Sequence, residues 1–111
     1  MKLVESFQDN YIILRISGRL DTNKAGEFED KILSLLNKDI KKVLMDMTGL
    51  EYINSTGLRT LLLATKKLHR DEGFFILYGI SNKIKEILDT AGFTSILSIA
   101  TNEEEAAKML S

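Results

Sequence analysis

The chain has 111 residues, 44% of them hydrophobic and 28% charged, with a formal net charge of −1 at pH 7; this composition predicts one soluble globular domain spanning residues 1–111. The near-neutral charge argues against bulk electrostatic binding to nucleic acid or an anionic membrane, both of which need a concentrated positive surface. The chain has no cysteine and one histidine, which excludes disulfides, thiolate chemistry and multi-histidine metal sites.

The first part of the chain predicts a β-hairpin followed by a helix. Residues 11–16 are rich in β-branched and aromatic side chains, and the strand they predict is expected to stop at residues 17–18. Residues 2–7 are expected to pair with this strand across a polar turn. Apolar residues recur at helical spacing from Ala25 onwards, and residues 21–23 are expected to supply the N-cap of that helix.

The middle of the chain predicts two strands separated by a long helix. Residues 42–47 form a mostly apolar run, which is typical of a strand buried on both faces. A polar loop is expected next, and leucines at helical spacing from Leu58 to Leu68 then predict a helix. Residues 73–79 are apolar and bracketed by glycines, which indicates another strand.

The last part of the chain predicts two short helices around a short strand. Ser81 is expected to cap the first helix, and Gly92 stands where a helix end favours a left-handed residue. Residues 96–100 predict a strand, and residues 101–104 predict a capping box before the final helix. Because strands alternate with helices, we predict an α/β fold with a mixed sheet of four to five strands and about four helices.

The usual catalytic arrangements are missing from the sequence. His69 lies in a charged helix end, where we expect it to face solvent. The glycine-rich phosphate loops of nucleotide-binding proteins do not occur. The acidic residues 103–105 are explained by the dipole of a helix N-terminus, and a carboxylate pair of Asp21 and Asp46 would have no base or nucleophile beside it. We therefore predict a protein that is not an enzyme and has no cofactor or metal.

A purely structural role does not fully explain one segment, which lies at the start of the long predicted helix. Asn54, Ser55 and Thr56 are all cap-type residues, more than one helix end needs. Gly57 follows them although glycine costs ~1 kcal/mol relative to alanine in a helix. A small residue here leaves room for another backbone or a bulky ligand, and an anion would meet the positive end of the helix dipole. Helix capping alone and a functional role both remain open.

The same segment resembles the signature of the STAS domain family, the bacterial anti-sigma factor antagonists. That signature is Asp-Ser-[Ser/Thr]-Gly-Leu at the start of a helix, and residues 54–58 match it except that Asn54 replaces the aspartate. The residue after the signature, often glycine in the antagonists, is Arg59. The resemblance extends to Gly-Arg-Leu-Asp at residues 18–21 and to residues 88–93. It implies the same α/β fold over nearly the whole chain.

The resemblance also implies a function in partner switching. In that family the serine at the position of Ser55 is phosphorylated by a serine kinase that is also the anti-sigma factor, and a phosphatase removes the phosphate. The unphosphorylated antagonist binds the kinase and frees a sigma factor. A phosphate adds about −1.5 to −2 charges and disrupts a complementary interface by repulsion and desolvation. The residues implied at the partner-binding surface are Asp21, Asn54, Ser55, Thr56, Gly57, Leu58 and Arg59.

Two other functions remain open for this chain. One alternative hypothesis is a constitutive interaction subunit of a lipid-transport or stressosome-like complex, in which Ser55 only caps the helix. An enzyme with Ser55 as its nucleophile is disfavoured because no base lies near it in the sequence. We expect no nucleic-acid partner and no direct insertion into a membrane, since neither a signal peptide nor a run of ~18 apolar residues occurs. The predicted location is cytoplasmic.

Overall fold

The computed structural model describes residues 1–110 and contains a five-stranded sheet with four helices. In chain order the elements are β1 (Lys2–Phe7), β2 (Ile12–Leu20), α1 (Ala25–Leu36), β3 (Lys42–Ile53), α2 (Ser55–Arg70), β4 (Phe74–Tyr78), α3 (Asn82–Thr90), β5 (Ser98–Ala100) and α4 (Glu103–Lys108). The strand order is β1-β2-β3-β4-β5, with β1 antiparallel to β2 and the other pairs parallel. The predicted α/β class and mixed sheet are confirmed.

The helices cover the two faces of the sheet unequally. Successive side chains of a strand point to opposite faces, so Leu14 of β2 enters one core and Ile13 enters the other. The larger core receives apolar side chains from α1, α2 and α3, while the smaller one is closed by Ala106 and Leu110 at the end of the chain. Within residues 1–110, no helix is both long enough and apolar enough to span a membrane.

Two central strands are longer than the sequence predicts. β2 continues through Gly18, which has a φ of 87°, and irregularities in the β2–β3 register accommodate the continuation. Arg19 then pairs with Tyr52, and Leu20 pairs with Ile53. The polar loop predicted after the third strand is therefore wrong. Its polar residues belong to β3, because pairing with β2 satisfies their backbone groups although several of their side chains remain exposed.

The remaining element ends agree with the sequence more closely. The Ser81 hydroxyl accepts a hydrogen bond from a backbone N–H of α3 at 3.2 Å, and Gly92 has a φ of 77°, so both predictions are confirmed. The predicted capping box of the last helix is wrong by one residue, because the side chain of Asn102 accepts the bond from the backbone N–H of Glu105. β5 begins at Ser98, two residues later than predicted.

Candidate functional site

The candidate site lies at the edge of the sheet where β2 and β3 end side by side. The backbone N–H of Asn54 donates a hydrogen bond of 2.9 Å to the carbonyl oxygen of Leu20. Asp21 follows directly after β2, and Ser55 begins α2 directly after Asn54. In α/β folds the carboxyl ends of parallel strands are the usual place for binding sites. The structure therefore brings together two of the segments that carry the family resemblance.

Asn54 is the residue that caps α2. Its backbone is extended, with φ −91° and ψ 178°, and its side-chain oxygen accepts a hydrogen bond of 2.9 Å from the backbone N–H of Gly57. Its carbonyl oxygen also accepts the first helical bond, from Leu58 at 3.0 Å. Ser55 is the first residue inside the helix and its side chain is exposed. The hypothesis that Ser55 only caps the helix is therefore wrong, because Asn54 does the capping.

Thr56 and Arg59 occupy different environments next to this cap. Thr56 is half-buried, and its carbonyl oxygen accepts a hydrogen bond of 3.1 Å from the Thr60 hydroxyl. Arg59 is exposed and lies four residues after Ser55. Residues four apart are neighbours on a helix surface. The guanidinium of Arg59 and the hydroxyl of Ser55 thus belong to the same exposed side of α2.

Gly57 and Leu58 serve the interior. A Cβ atom added to Gly57 would lie 2.6 Å from Cδ2 of Leu20 and 2.8 Å from Cγ1 of Ile53. The expectation that this glycine makes room for a ligand is wrong, since the space it leaves is filled by the core. Leu58 is 8% exposed and packs in the larger core. These two residues hold the start of α2 against the ends of β2 and β3.

Asp21 forms a turn between β2 and α1. Its Oδ1 accepts a hydrogen bond of 3.1 Å from the backbone N–H of Asn23, and its carbonyl oxygen accepts bonds from Lys24 and Ala25 at 3.0 and 2.9 Å. The N-cap position of α1 is Lys24, whose side chain makes no capping bond. The predicted side-chain cap from residues 21–23 is therefore wrong. Asp21 is half-buried at the edge of the sheet and shapes the loop next to α2.

Two residues that the sequence analysis did not select flank this site. The guanidinium carbon of Arg19 lies 4.7 Å from the ring centroid of Tyr52, a distance at which cation–π attraction operates. Tyr52 also lines a groove of about 610 Å³ together with Leu58 and residues of α3. The pair is visible only when β2 and β3 are known to extend this far. The Gly-Arg-Leu-Asp segment contains Arg19, but nothing in the sequence pairs Arg19 with Tyr52.

The other candidate catalytic residues lie elsewhere. Asp46 forms an ion pair with Arg15 at 3.3 Å, and Arg15 contacts Glu103 at 3.3 Å. The Tyr78 hydroxyl donates to Glu103 at 3.1 Å, and burial, together with the negative charge of Asp46, raises the pKa of Tyr78 well above its ordinary value. This cluster of Arg15, Asp46, Tyr78 and Glu103 attaches α4 to the sheet. Asp21 is not part of it. His69 is exposed, as predicted.

The sequence is similar to those of known proteins over almost its full length. A sequence model of the STAS domain family matches residues 3–106. BtrV of Bordetella bronchiseptica, named as an anti-sigma factor antagonist, is 31% identical over 107 residues. The match covers 96% of this chain and 92% of BtrV.

Solved structures have the same fold. The crystal structure of TM1081 from Thermotoga maritima, described as an anti-sigma factor antagonist, superposes with a TM-score of 0.91 at 23% identity, covering 97% of this chain and 93% of TM1081. SpoIIAA of Bacillus in its phosphorylated form gives a TM-score of 0.74 at 19% identity, covering 99% of this chain and 100% of SpoIIAA. Unphosphorylated SpoIIAA gives 0.80 at 18% identity, with 97% and 96% covered. At these identities the structures establish the fold.

Proposed function

We propose that this chain, which belongs to the STAS domain family, is an anti-sigma factor antagonist that acts by partner switching and has no catalytic role of its own. Unphosphorylated, it binds a cognate anti-sigma factor that is also a serine kinase, and so frees a sigma factor. Phosphorylation of Ser55 releases the kinase, and a phosphatase acting on Ser55 restores binding. BtrV, at 31% identity, is named as an anti-sigma factor antagonist, which supports this proposal.

The observation that carries this proposal is the exposed position of Ser55. Because Asn54 caps α2, the Ser55 hydroxyl is left accessible at the first residue of the helix. Thr56 is half-buried, and the signature aligns Ser55 with the phosphorylated serine of the family. A kinase must reach the hydroxyl that it modifies. We therefore expect phosphate on Ser55 and none on Thr56.

The start of α2 is suited to carry the added charge. Its first turn contains no acidic residue, so a phosphate there would interact favourably with the helix dipole and meet no carboxylate of that turn. The exposed Arg59, one turn later, is a cation on the same side of the helix. The fold can therefore accept the phosphate, while a partner surface pressed against Ser55 would have to desolvate it. This difference lets phosphorylation release the partner without unfolding the chain.

We propose that the partner-binding surface consists of residues that can contact the partner and of buried residues that support them. Asp21, Asn54, Ser55, Thr56 and Arg59 offer polar groups at the edge of the sheet. Gly57 and Leu58, also implied by the family resemblance, act from beneath by fixing the position of α2. Substitutions of the first group should change affinity, whereas substitutions of the second should first change stability.

The proposal is tested with the purified anti-sigma factor kinase whose gene lies nearest to that of this chain. Incubation with the kinase and ATP, followed by mass spectrometry, should place phosphate on Ser55. By calorimetry, Ser55→Asp should bind the unmodified kinase at least about tenfold more weakly than the unsubstituted chain. Ser55→Ala should bind normally and resist phosphorylation.

A matched control is Ser98→Asp, which makes the same substitution at an exposed serine that begins β5, at the opposite edge of the sheet. It should leave kinase binding nearly unchanged. Phosphate on Thr56 alone, or no modification by a kinase that binds the chain, would contradict the phosphorylation switch. Equal binding by Ser55→Asp and the unsubstituted chain would favour the alternative function, a constitutive subunit of a lipid-transport or stressosome-like complex.

The role of Asp21 needs a separate variant. Asp21→Asn keeps an oxygen that can accept the hydrogen bond from Asn23, so the turn should remain intact. A loss of kinase affinity with an unchanged melting temperature would assign the Asp21 charge to the partner surface. Unchanged affinity would leave Asp21 with a structural role only.

A further inference from the structure

A groove near the start of α2 is formed by three elements that meet at one edge of the sheet. It has a volume of about 610 Å³ and lies between the start of α2 and one side of α3. Tyr52 comes from the end of β3, and Leu58 from the first turns of α2. The residues that line it are Tyr52, Leu58, Lys83, Glu86, Ile87, Thr90 and Ala91.

The α3 residues in this groove form a continuous stripe. Five lining residues lie between Lys83 and Ala91 at spacings of three and four residues, which is the spacing of one face of a helix. The core contacts of α3 use a different stripe, whose members Ile84 and Leu88 are fully buried. α3 thus has one apolar stripe in the core and a second, partly apolar stripe that faces the groove.

The walls of the groove are apolar, and its rim is charged. Tyr52, Leu58, Ile87 and Ala91 supply carbon surface, and Tyr52 carries Arg19 against its ring. Lys83 and Glu86 are exposed charges on the α3 side. A concave apolar surface with a few charges at its rim is suited to an apolar anchor residue of a protein partner.

We propose that this groove receives an apolar side chain of the same anti-sigma factor kinase that binds Ser55, carried on a segment whose carboxylate reaches Lys83. This inference rests on the proposed function and adds a second contact region to the proposed interface with the kinase. The groove is continuous with the proposed kinase-binding surface at Ser55, which supports the same partner for both. Leu58 forms a wall of the groove and lies three residues after Ser55 on α2. Residues three apart are neighbours on a helix.

The groove also explains how one phosphate can release a large partner. Leu58 lines the groove three residues after Ser55 on α2, so a partner side chain that fills the groove brings the partner surface close to Ser55 and removes water there. A phosphate carrying about −1.5 to −2 charges resists that loss of water. Phosphorylation therefore opposes the docking of the apolar anchor as well as the polar contacts around Ser55.

Two substitutions in the groove test the proposal by different means. Thr90→Trp places a bulky ring in the groove from an exposed position, and Lys83→Glu reverses the charge at its rim. Each should weaken calorimetric binding of the purified kinase by about tenfold. Lys85→Trp and Lys85→Glu are matched controls, since Lys85 is exposed on the same helix and does not line the groove; they should bind normally.

The outcomes separate the groove from the Ser55 switch. If Ser55→Asp loses binding while Thr90→Trp and Lys83→Glu bind normally, the groove is not part of the interface, although the proposed function stands. If Ser55→Asp also binds normally, or the unsubstituted chain does not bind the kinase, both proposals fail. Equal losses of kinase affinity in the groove variants and in the Lys85 controls would also contradict the proposal that the groove binds the kinase. Melting curves identify any variant that does not fold, and Lys83→Glu decides the matter if Thr90→Trp is unstable.

Discussion

The helices α2 and α4 begin with the same capping chemistry but differ in charge: the first turn of α4 is acidic and that of α2 is uncharged. Asn54 and Asn102 each accept a hydrogen bond of 2.9 Å from the backbone N–H three residues later. The first turn of α4 then carries three glutamates, whereas that of α2 carries no acidic residue. Glu103 is bound to Arg15 and Tyr78, so the charge of α4 is used to attach it to the sheet.

The difference shows what a helix start leaves available for function. In α4 the carboxylates already interact with the helix dipole and with the groups that hold the helix in place. In α2 the cap is satisfied by Asn54, the third residue is buried, and the exposed first residue is an uncharged serine. A negative charge added at Ser55 would therefore be new to the helix, and its effect would fall on whatever binds there.

The largest expected effect concerns the third residue of α2. Gly57→Ala should lower the free energy of unfolding by about 1–3 kcal/mol, because its Cβ would overlap Leu20 and Ile53. Gly26→Ala is the matched control, since nothing lies within 4 Å of a Cβ at that position. It should leave stability unchanged or raise it by up to ~1 kcal/mol. Urea denaturation measures both, and a Gly57→Ala protein as stable as the unsubstituted chain would refute the packing argument.

A smaller effect distinguishes the cap from its neighbour. Asn54→Ala should cost about 0.5–2 kcal/mol of stability, because it removes the acceptor for the Gly57 N–H. Ser55→Ala should change stability by less than about 0.5 kcal/mol, as exposed substitutions usually do. Denaturation curves of the two variants are compared directly. Equal losses would mean that Ser55 shares the capping role and that the contrast with α4 is weaker than described.

The attachment of α4 predicts a dependence on alkaline pH. Burial raises the pKa of Tyr78, so the folded chain keeps the phenol proton where the unfolded chain loses it. The contribution of Tyr78 to stability is therefore full below about pH 10, the ordinary tyrosine pKa, and falls as the pH rises above it. Tyr78→Phe should remove this part of the decline, and should cost about 1 kcal/mol at neutral pH through the lost hydrogen bond to Glu103.

Urea midpoints measured from neutral to alkaline pH, for the unsubstituted chain and for Tyr78→Phe, test this prediction. The phenylalanine variant controls for the other two tyrosines, which are unchanged in it. An identical decline in both proteins would show that Tyr78 contributes nothing to the pH dependence.

The smallest expected effect is electrostatic and has opposite signs at the two helices. Ser55→Asp should raise stability by ~0.3–1 kcal/mol at low salt, because it adds a charge to a first turn without one. Glu104→Gln should lower stability by a similar ~0.3–1 kcal/mol, since it removes a negative charge from the first turn of α4. Both changes should shrink as salt screens the charges. If Ser55→Asp instead destabilises the chain, its effect on partner binding cannot be separated from folding.

Patterns that are local in the chain were sufficient for most of the fold. The alternation of strands and helices predicted the α/β class, and single residues such as Ser81 and Gly92 marked helix ends correctly. The run of polar residues at the start of α2 located the candidate site. These signals work because helical spacing, cap chemistry and left-handed turns depend on neighbouring residues only.

The tertiary structure decided which residue of the site does what. The pairing of β2 with β3 continues to Leu20 and Ile53, and the bond from Asn54 to Leu20 holds Asn54 extended, so that the helix starts at Ser55. From the sequence, Asn54, Ser55 or Thr56 could have been the cap. The burial of Gly57, the Arg19–Tyr52 contact and the groove along α3 likewise depend on segments far apart in the chain. Only the register of neighbouring strands brings them together.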